Sequence, residues 1–160
     1  MWPDLRIAAV VEAHDHETEA YEKSREMLTG ESDIAGVYVS TVNSVPVLRA
    51  IDEVGLDGRA IVITSDLFPA LAPFIRSGRV AATMYQRPSI QGQLAFRALY
   101  KFLVDGVRPR SVIRRAPHVV MKSNLKLFMD RLPRRTARGG FGPGAPEGGE
   151  PKRRESSSRL

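Results

Sequence analysis

Cysteine is absent from the 160 residues of this chain. That excludes disulfides, thiolate nucleophiles and cysteine-ligated metal, and it is compatible with the cytoplasm. Long apolar runs are missing too. The longest are a handful of residues, far below the roughly 20 that a membrane-spanning helix needs, so no membrane partner is expected. Near the N-terminus Asp4 stands where a secretory signal is basic, and the apolar run from Ile7 to Val11 is too short for a signal core. Export is therefore not expected, and a cytoplasmic location is. There is no Gly-rich phosphate loop of the GxGxxG or Walker type. Nor is there a Ser-His-Asp set or a pair of carboxylates in a hydrolytic context. No catalytic residue and no cofactor are expected.

The formal charge of +6 suggests a nucleic-acid partner until it is located. Residues 131–160 hold eight Lys/Arg and three Asp/Glu, a net of +5, which leaves +1 for residues 1–130. The basic character thus sits in a Gly/Pro/Ser/Arg-rich tail with almost no large apolar residue, and such a composition does not offset its own ordering entropy. The expected organisation is one domain over 1–130, with 42% hydrophobic residues available across the chain for its core, and a disordered tail over 131–160. That tail is read as a solvated extension. Beyond Phe141 it has no interleaved aromatics, and no recognition fold surrounds it.

Three polar residues stand where three apolar runs stop. Asn43 follows Gly36-Val-Tyr-Val-Ser-Thr-Val42, Asp66 follows Ala60-Ile-Val-Ile-Thr-Ser65, and Gln86 follows Val80-Ala-Ala-Thr-Met-Tyr85. Each run is short, rich in β-branched residues and followed by helical periodicity, the pattern of repeated strand–helix units. The fold class expected is α/β, an open, mostly parallel sheet with helices on both faces. In such a sheet the three side chains emerge at the carboxyl edge, where open α/β sheets bind ligands.

Along the chain the expected strands are Arg6 to Glu12, Ile34 to Ser40, Ala60 to Thr64, Val80 to Met84 and His118 to Met121. A first helix begins near Asp15 or Thr18 and ends at Gly30. A second begins near Asn43 and ends at Gly55, and a third runs from Pro69 to Gly78. The helix over about 89–104 differs. Ile90, Leu94, Phe96, Leu99, Tyr100 and Leu103, with their neighbours, wrap more than half of it, so it needs cover on more than one side.

The segments 37–43, 62–69, 75–88 and 92–99 together resemble the C-terminal half of type I periplasmic-binding-protein-like domains. These occur in sugar-binding proteins of ABC transporters and in sensor domains of lactose-repressor (LacI) type regulators. The resemblance covers about Ile7 to Phe128 and rests on strand–Asn, strand–Asp–x–x–Pro and Ala-Thr–x–x–Gln–x–Pro in the family's order. It implies two lobes with ligand held in the cleft between them, and ligand-contacting roles for Asn43, Asp66 and Gln86. The loop His14-Asp15-His16 approaches the cleft in the family, which adds Asp15. It also implies that helix 89–104 is covered by a second lobe. The expected function is the sugar- or solute-sensing domain of a LacI-type regulator without its first lobe and DNA-binding head. The alternative is part of a transporter's sugar-binding protein. The implied partners are a small polar ligand and either the other lobe or a second copy in a homodimer, with DNA reached only through a helix-turn-helix that this sequence lacks. One lobe alone buries half a ligand, so weak solute binding, or none, is expected.

Two other readings compete. His14 and His16 could share a metal ion, but a third and fourth ligand are lacking. A phosphoacceptor signalling domain needs an acidic cluster, a central Asp, a hydroxyl and a Lys after successive strands. Glu12 with Asp15, Asp66, Thr83 and Lys122 fall in that order, although Thr83 lies inside its strand.

Overall fold

A computed structural model describes residues 5–31 and 33–130. The expected tail over 131–160 lies outside the described residues. Nine elements follow in order: α1 (Glu17–Gly30), β1 (Gly36–Val39), α2 (Ser44–Glu53), β2 (Ile61–Ser65), α3 (Ala72–Ser77), β3 (Ala82–Tyr85), α4 (Pro88–Asp105), β4 (His118–Val120) and α5 (Leu125–Met129). The strands form one sheet in the order β1-β2-β3-β4. β1, β2 and β3 are parallel, and β4 runs antiparallel to β3. The fold is α/β with an open, mostly parallel sheet.

Two successive crossovers, β1-α2-β2 and β2-α3-β3, step the same way across the sheet, which by the right-handed rule for parallel strands puts α2 and α3 on the same face. α1 packs against α2 in that layer, and α5 touches α3. The inward strand residues alternate as a half-covered sheet requires: Val39, Val62, Thr64, Thr83 and Val120 are buried. They meet Leu48 and Ile51 of α2, and Leu71 and Ile75 around α3, to form the core. The third helix begins three residues later than the sequence suggested, at Ala72, and Gly78 closes it in the left-handed region at φ 90°. Glycine adopts that conformation without a Cβ penalty.

The opposite face is lined by Tyr38, Ile61, Ile63 and Val119, all exposed. Among the described residues, Gln91 near the start of α4, with Arg115 and Pro117 of the segment that leads to β4, approaches this face beside Tyr38 and Ser65. The remainder of α4 stands clear. No residue of α4 is buried, and Phe96 and Leu103 are 68% and 69% exposed. The uncovered apolar helix expected from the sequence is therefore a feature of the structure.

One expected strand does not form. Residues 5–13 pair with no strand, and Leu5, Ile7 and Val10 are 77%, 80% and 86% exposed. The composition is that of a buried strand, but composition alone does not close a ladder. A strand needs a neighbour for its N–H and C=O groups, and among the described residues β1 pairs with β2 alone.

Candidate ligand-binding site

The ends of β1, β2 and β3 lie side by side, because the register sets Val39 against Thr64 and Ser65 against Met84. Neighbouring strands sit about 4.8 Å apart, so the residues that follow them share one edge. Asn43 is the residue before α2, Asp66 follows Ser65 directly, and Gln86 follows Tyr85 directly. The sequence-derived set is therefore gathered at the carboxyl edge of the sheet.

These residues form two bonded pairs. Asn43 Nδ2 donates to Asp15 Oδ1 at 3.2 Å. The backbone N–H of Gln86 donates to Asp66 Oδ1 at 3.4 Å. Neither Asn43 nor Asp66 serves as a side-chain helix cap. Asn43 holds the N-cap position without a side-chain cap bond, and α3 begins six residues beyond Asp66. Capping, the ordinary use of Asn and Asp before a helix, does not account for either side chain.

Backbone geometry marks the same edge. Among the described residues, the non-glycine residues with positive φ are His14 (45°), Asp15 (61°), Asp66 (64°) and Arg87 (56°). All four lie in the loops that carry Asp15, Asp66 and Gln86. Aspartate tolerates the left-handed region better than most residues, while an arginine there is uncommon. Such conformations persist where the surroundings impose them, and they concentrate at functional sites.

For Asp66 the imposing contacts are clear. Its N–H donates to Met84 O at 3.1 Å. The hydroxyl of Thr83, a fully buried residue, donates to Asp66 O and to Thr64 O, the latter at 3.1 Å. Thr83 thus ties the turn after β2 to β3 from beneath. The sequence indicated this only as a polar residue at an inward strand position. The same bonds count against the phosphoacceptor arrangement. The Thr83 hydroxyl is buried and directed at carbonyls, and Asp15 bonds to Asn43.

The loop before α1 is held separately. His14 Nδ1 lies 3.1 Å from Glu19 Oε2, and Lys23 Nζ donates to the same oxygen at 2.7 Å. Bonds from Lys23 and then His14 pull the Glu19 carboxyl down to about 2. Lys23 Nζ also donates to Glu12 O at 2.9 Å. His14 is thus engaged with Glu19, and among the described residues no group of three or more His, Asp or Glu side chains gathers as metal ligands would.

Beside Gln86 a concavity of about 200 Å³ opens on the outer face. Tyr38, Ser65, Gln86, Gln91 and Arg115 bring polar groups to it, and Met84 and Pro117 bring apolar surface. Of these only Gln86 was singled out by sequence reasoning. Tyr38 and Ser65 read there as ordinary strand residues, and Arg115 as part of a connecting segment.

No curated protein sequence gives a significant match. Solved structures do. A glucose-galactose binding protein from Geobacillus stearothermophilus matches with a TM-score of 0.69 and 24% identity, over 75% of this chain and 43% of its own. An ABC-transporter periplasmic solute-binding protein from Actinobacillus succinogenes 130z, with bound D-allose, matches with a TM-score of 0.71 and 24% identity, over 79% and 44%. An ABC-transporter solute-binding protein from Agrobacterium vitis, with bound D-fucose, matches with a TM-score of 0.69 and 22% identity, over 75% and 41%. The chain spans less than half the length of these proteins. At such identities the likeness establishes the fold, that of a type I periplasmic-binding-protein-like lobe. The periplasmic binding protein domain family itself matches residues 2–106, about two thirds of the chain and including Asp15, Asn43, Asp66 and Gln86. The chain belongs to the periplasmic binding protein domain family.

Proposed function

We propose that this chain supplies one wall of a cleft that binds a small polar solute, a sugar by preference, in a solute-binding protein of the transport-receptor type. The observation that carries the reading is the edge itself. Two carboxylates and two amides, from Asp15, Asn43, Asp66 and Gln86, converge there, and the two side chains placed before helices are not used as caps. Carboxylates accept and amides both donate and accept, which suits the paired hydroxyls of a sugar, with the charged acceptors giving the stronger bonds. The reading involves binding and release and no bond-making step, so the chain is not an enzyme.

The structures similar to this chain include receptors of ABC transporters, which favours the transport receptor over the LacI-type regulator. By family resemblance the chain corresponds to the second lobe. A first lobe closes over the ligand and shifts the protein toward its closed state by the difference in affinity between the two. A transport receptor works outside the cytoplasmic membrane and a regulator inside it, so fractionation of cells expressing the native protein separates the two readings.

The binding test is calorimetric titration of the full chain with D-galactose and D-allose. The expected result is saturable binding with a Kd of about 1 mM or weaker, as half a cleft gives, lost in Asp66→Asn. A sub-millimolar Kd, no binding at any soluble concentration, or full binding by the variant contradicts the proposal.

A further inference from the structure

The concavity on the outer face differs in character from the edge beside it. Register places Ser65 next to Met84 and Met84 opposite Val119 on that face, with Tyr38 one position back beside Ile63. Over them lie Gln91 from α4, and Arg115 and Pro117 from the segment that returns to β4. Tyr38 Oη and Ser65 Oγ are 3.1 Å apart, and Gln91 Nε2 donates to Gln86 O at 2.8 Å. A volume of about 200 Å³ holds roughly seven waters, hence a single sugar ring.

Its one charged lining residue is a cation. The segment over 106–117 carries Arg108, Arg110, Arg114 and Arg115 and no Asp or Glu. Among the described residues the ion pairs are made by His14, Lys23, Arg25 and Arg79, and by none of these four arginines. Arg87, on the adjoining loop, lies with Nη1 3.2 Å from His118 Nε2 and likewise has no carboxylate partner among the described residues. A guanidinium without a counter-ion, beside hydroxyls and amides, is a site for an oxyanion. Gln86 belongs both to this concavity and to the pair with Asp66. A ligand that reaches from one to the other meets an acceptor at the Asp66 end and a cationic donor at the Arg115 end.

We propose that the concavity receives the acidic end of an anionic monosaccharide, a sugar bearing a carboxylate or a phosphate. Arg115 holds the acid group, and Tyr38, Ser65 and Gln91 bond the adjacent hydroxyls. This rests on the ligand-binding reading of the edge and names the ligand class for it.

The test titrates the full chain with D-galacturonate, D-galactose 6-phosphate and neutral D-galactose. At least one anionic sugar is expected to bind about five- to ten-fold tighter than the neutral one, with the margin shrinking as salt is raised. Arg115→Gln is expected to remove the margin and Arg115→Lys to keep part of it, both with an unchanged melting temperature, since Arg115 is exposed. Tightening by galacturonate alone assigns a carboxylate, and by the phosphate ester alone a phosphate. An anionic sugar that binds no tighter than the neutral one, or a margin that survives Arg115→Gln, overturns the proposal. Neutral binding that is lost in Asp66→Asn, without any anionic preference, leaves the edge reading standing and this one refuted. Absence of all binding refutes both.

Discussion

Asn43 Nδ2 donates to Asp15 Oδ1 across 3.2 Å, joining the loop before α1 to the end of β1. The two residues are 28 positions apart. Asn43 is only 8% exposed, so its amide is largely withdrawn from water and depends on that partner. The bond fixes the spacing of one carboxylate and one amide at the sheet edge, and under the proposed binding role this lowers the ordering cost of a ligand.

Removing Asp15 should leave the buried Asn43 amide unsatisfied, whereas Asp15 is exposed and water replaces a lost amide. Asp15→Ala is therefore expected to destabilise by about 1–3 kcal/mol and Asn43→Ala by less, about 1 kcal/mol. A double-mutant cycle measured by urea denaturation should show that the pair costs less than the sum of the singles. Strict additivity would mean that the bond does not form in solution.

Thr83→Val keeps volume and removes the hydroxyl that donates to Thr64 O and Asp66 O. The expected loss is about 1–3 kcal/mol. Because Asp66 sits at φ 64°, its turn should also loosen, seen as faster amide exchange at Leu67. Unchanged exchange would show that Thr83 does not hold the turn.

The Glu19 carboxyl is held near 2 by Lys23 and His14. A carboxyl depressed in the folded state contributes stability above its ordinary value of 4.5. That contribution is lost as pH falls from 4.5 toward 2. The wild-type melting temperature should therefore fall more steeply across that window than that of Glu19→Gln. Parallel curves would remove the network from the account.

The exposed face of α4 adds no buried residue to the core, and it is expected to drive association. Phe96→Gln with Leu103→Gln is expected to change stability by no more than about 0.5 kcal/mol. It should also reduce concentration-dependent sedimentation, since exposed apolar patches drive association. A large loss of stability would mean that α4 packs against the body.

Much of this architecture is legible in the sequence, for local reasons. The strands ending near Val39, Ser65 and Tyr85 announce themselves by β-branched runs bounded by turns. Asn43, Asp66 and Gln86 mark their ends, so the shared edge follows once the sheet is parallel. What escaped depends on contacts distant along the chain. Residues 6–12 have the composition of a strand, but pairing requires a neighbour that composition does not reveal. Asp15 came through resemblance alone, and its bond to Asn43 joins residues from separate elements. The left-handed turns at Asp66 and Arg87 leave no glycine to signal them. The concavity is assembled from β1, β2, β3, α4 and the 106–117 segment, and no periodicity links Tyr38 to Arg115.

The most direct measurement is a ¹H–¹⁵N correlation spectrum of the full chain during titration with D-galactose. The account predicts progressive shifts concentrated at Asp15, Asn43, Asp66 and Gln86, unsaturated below about 1 mM and abolished by Asp66→Asn. Shifts located elsewhere, or shifts at the edge that persist unchanged in Asp66→Asn, would contradict it.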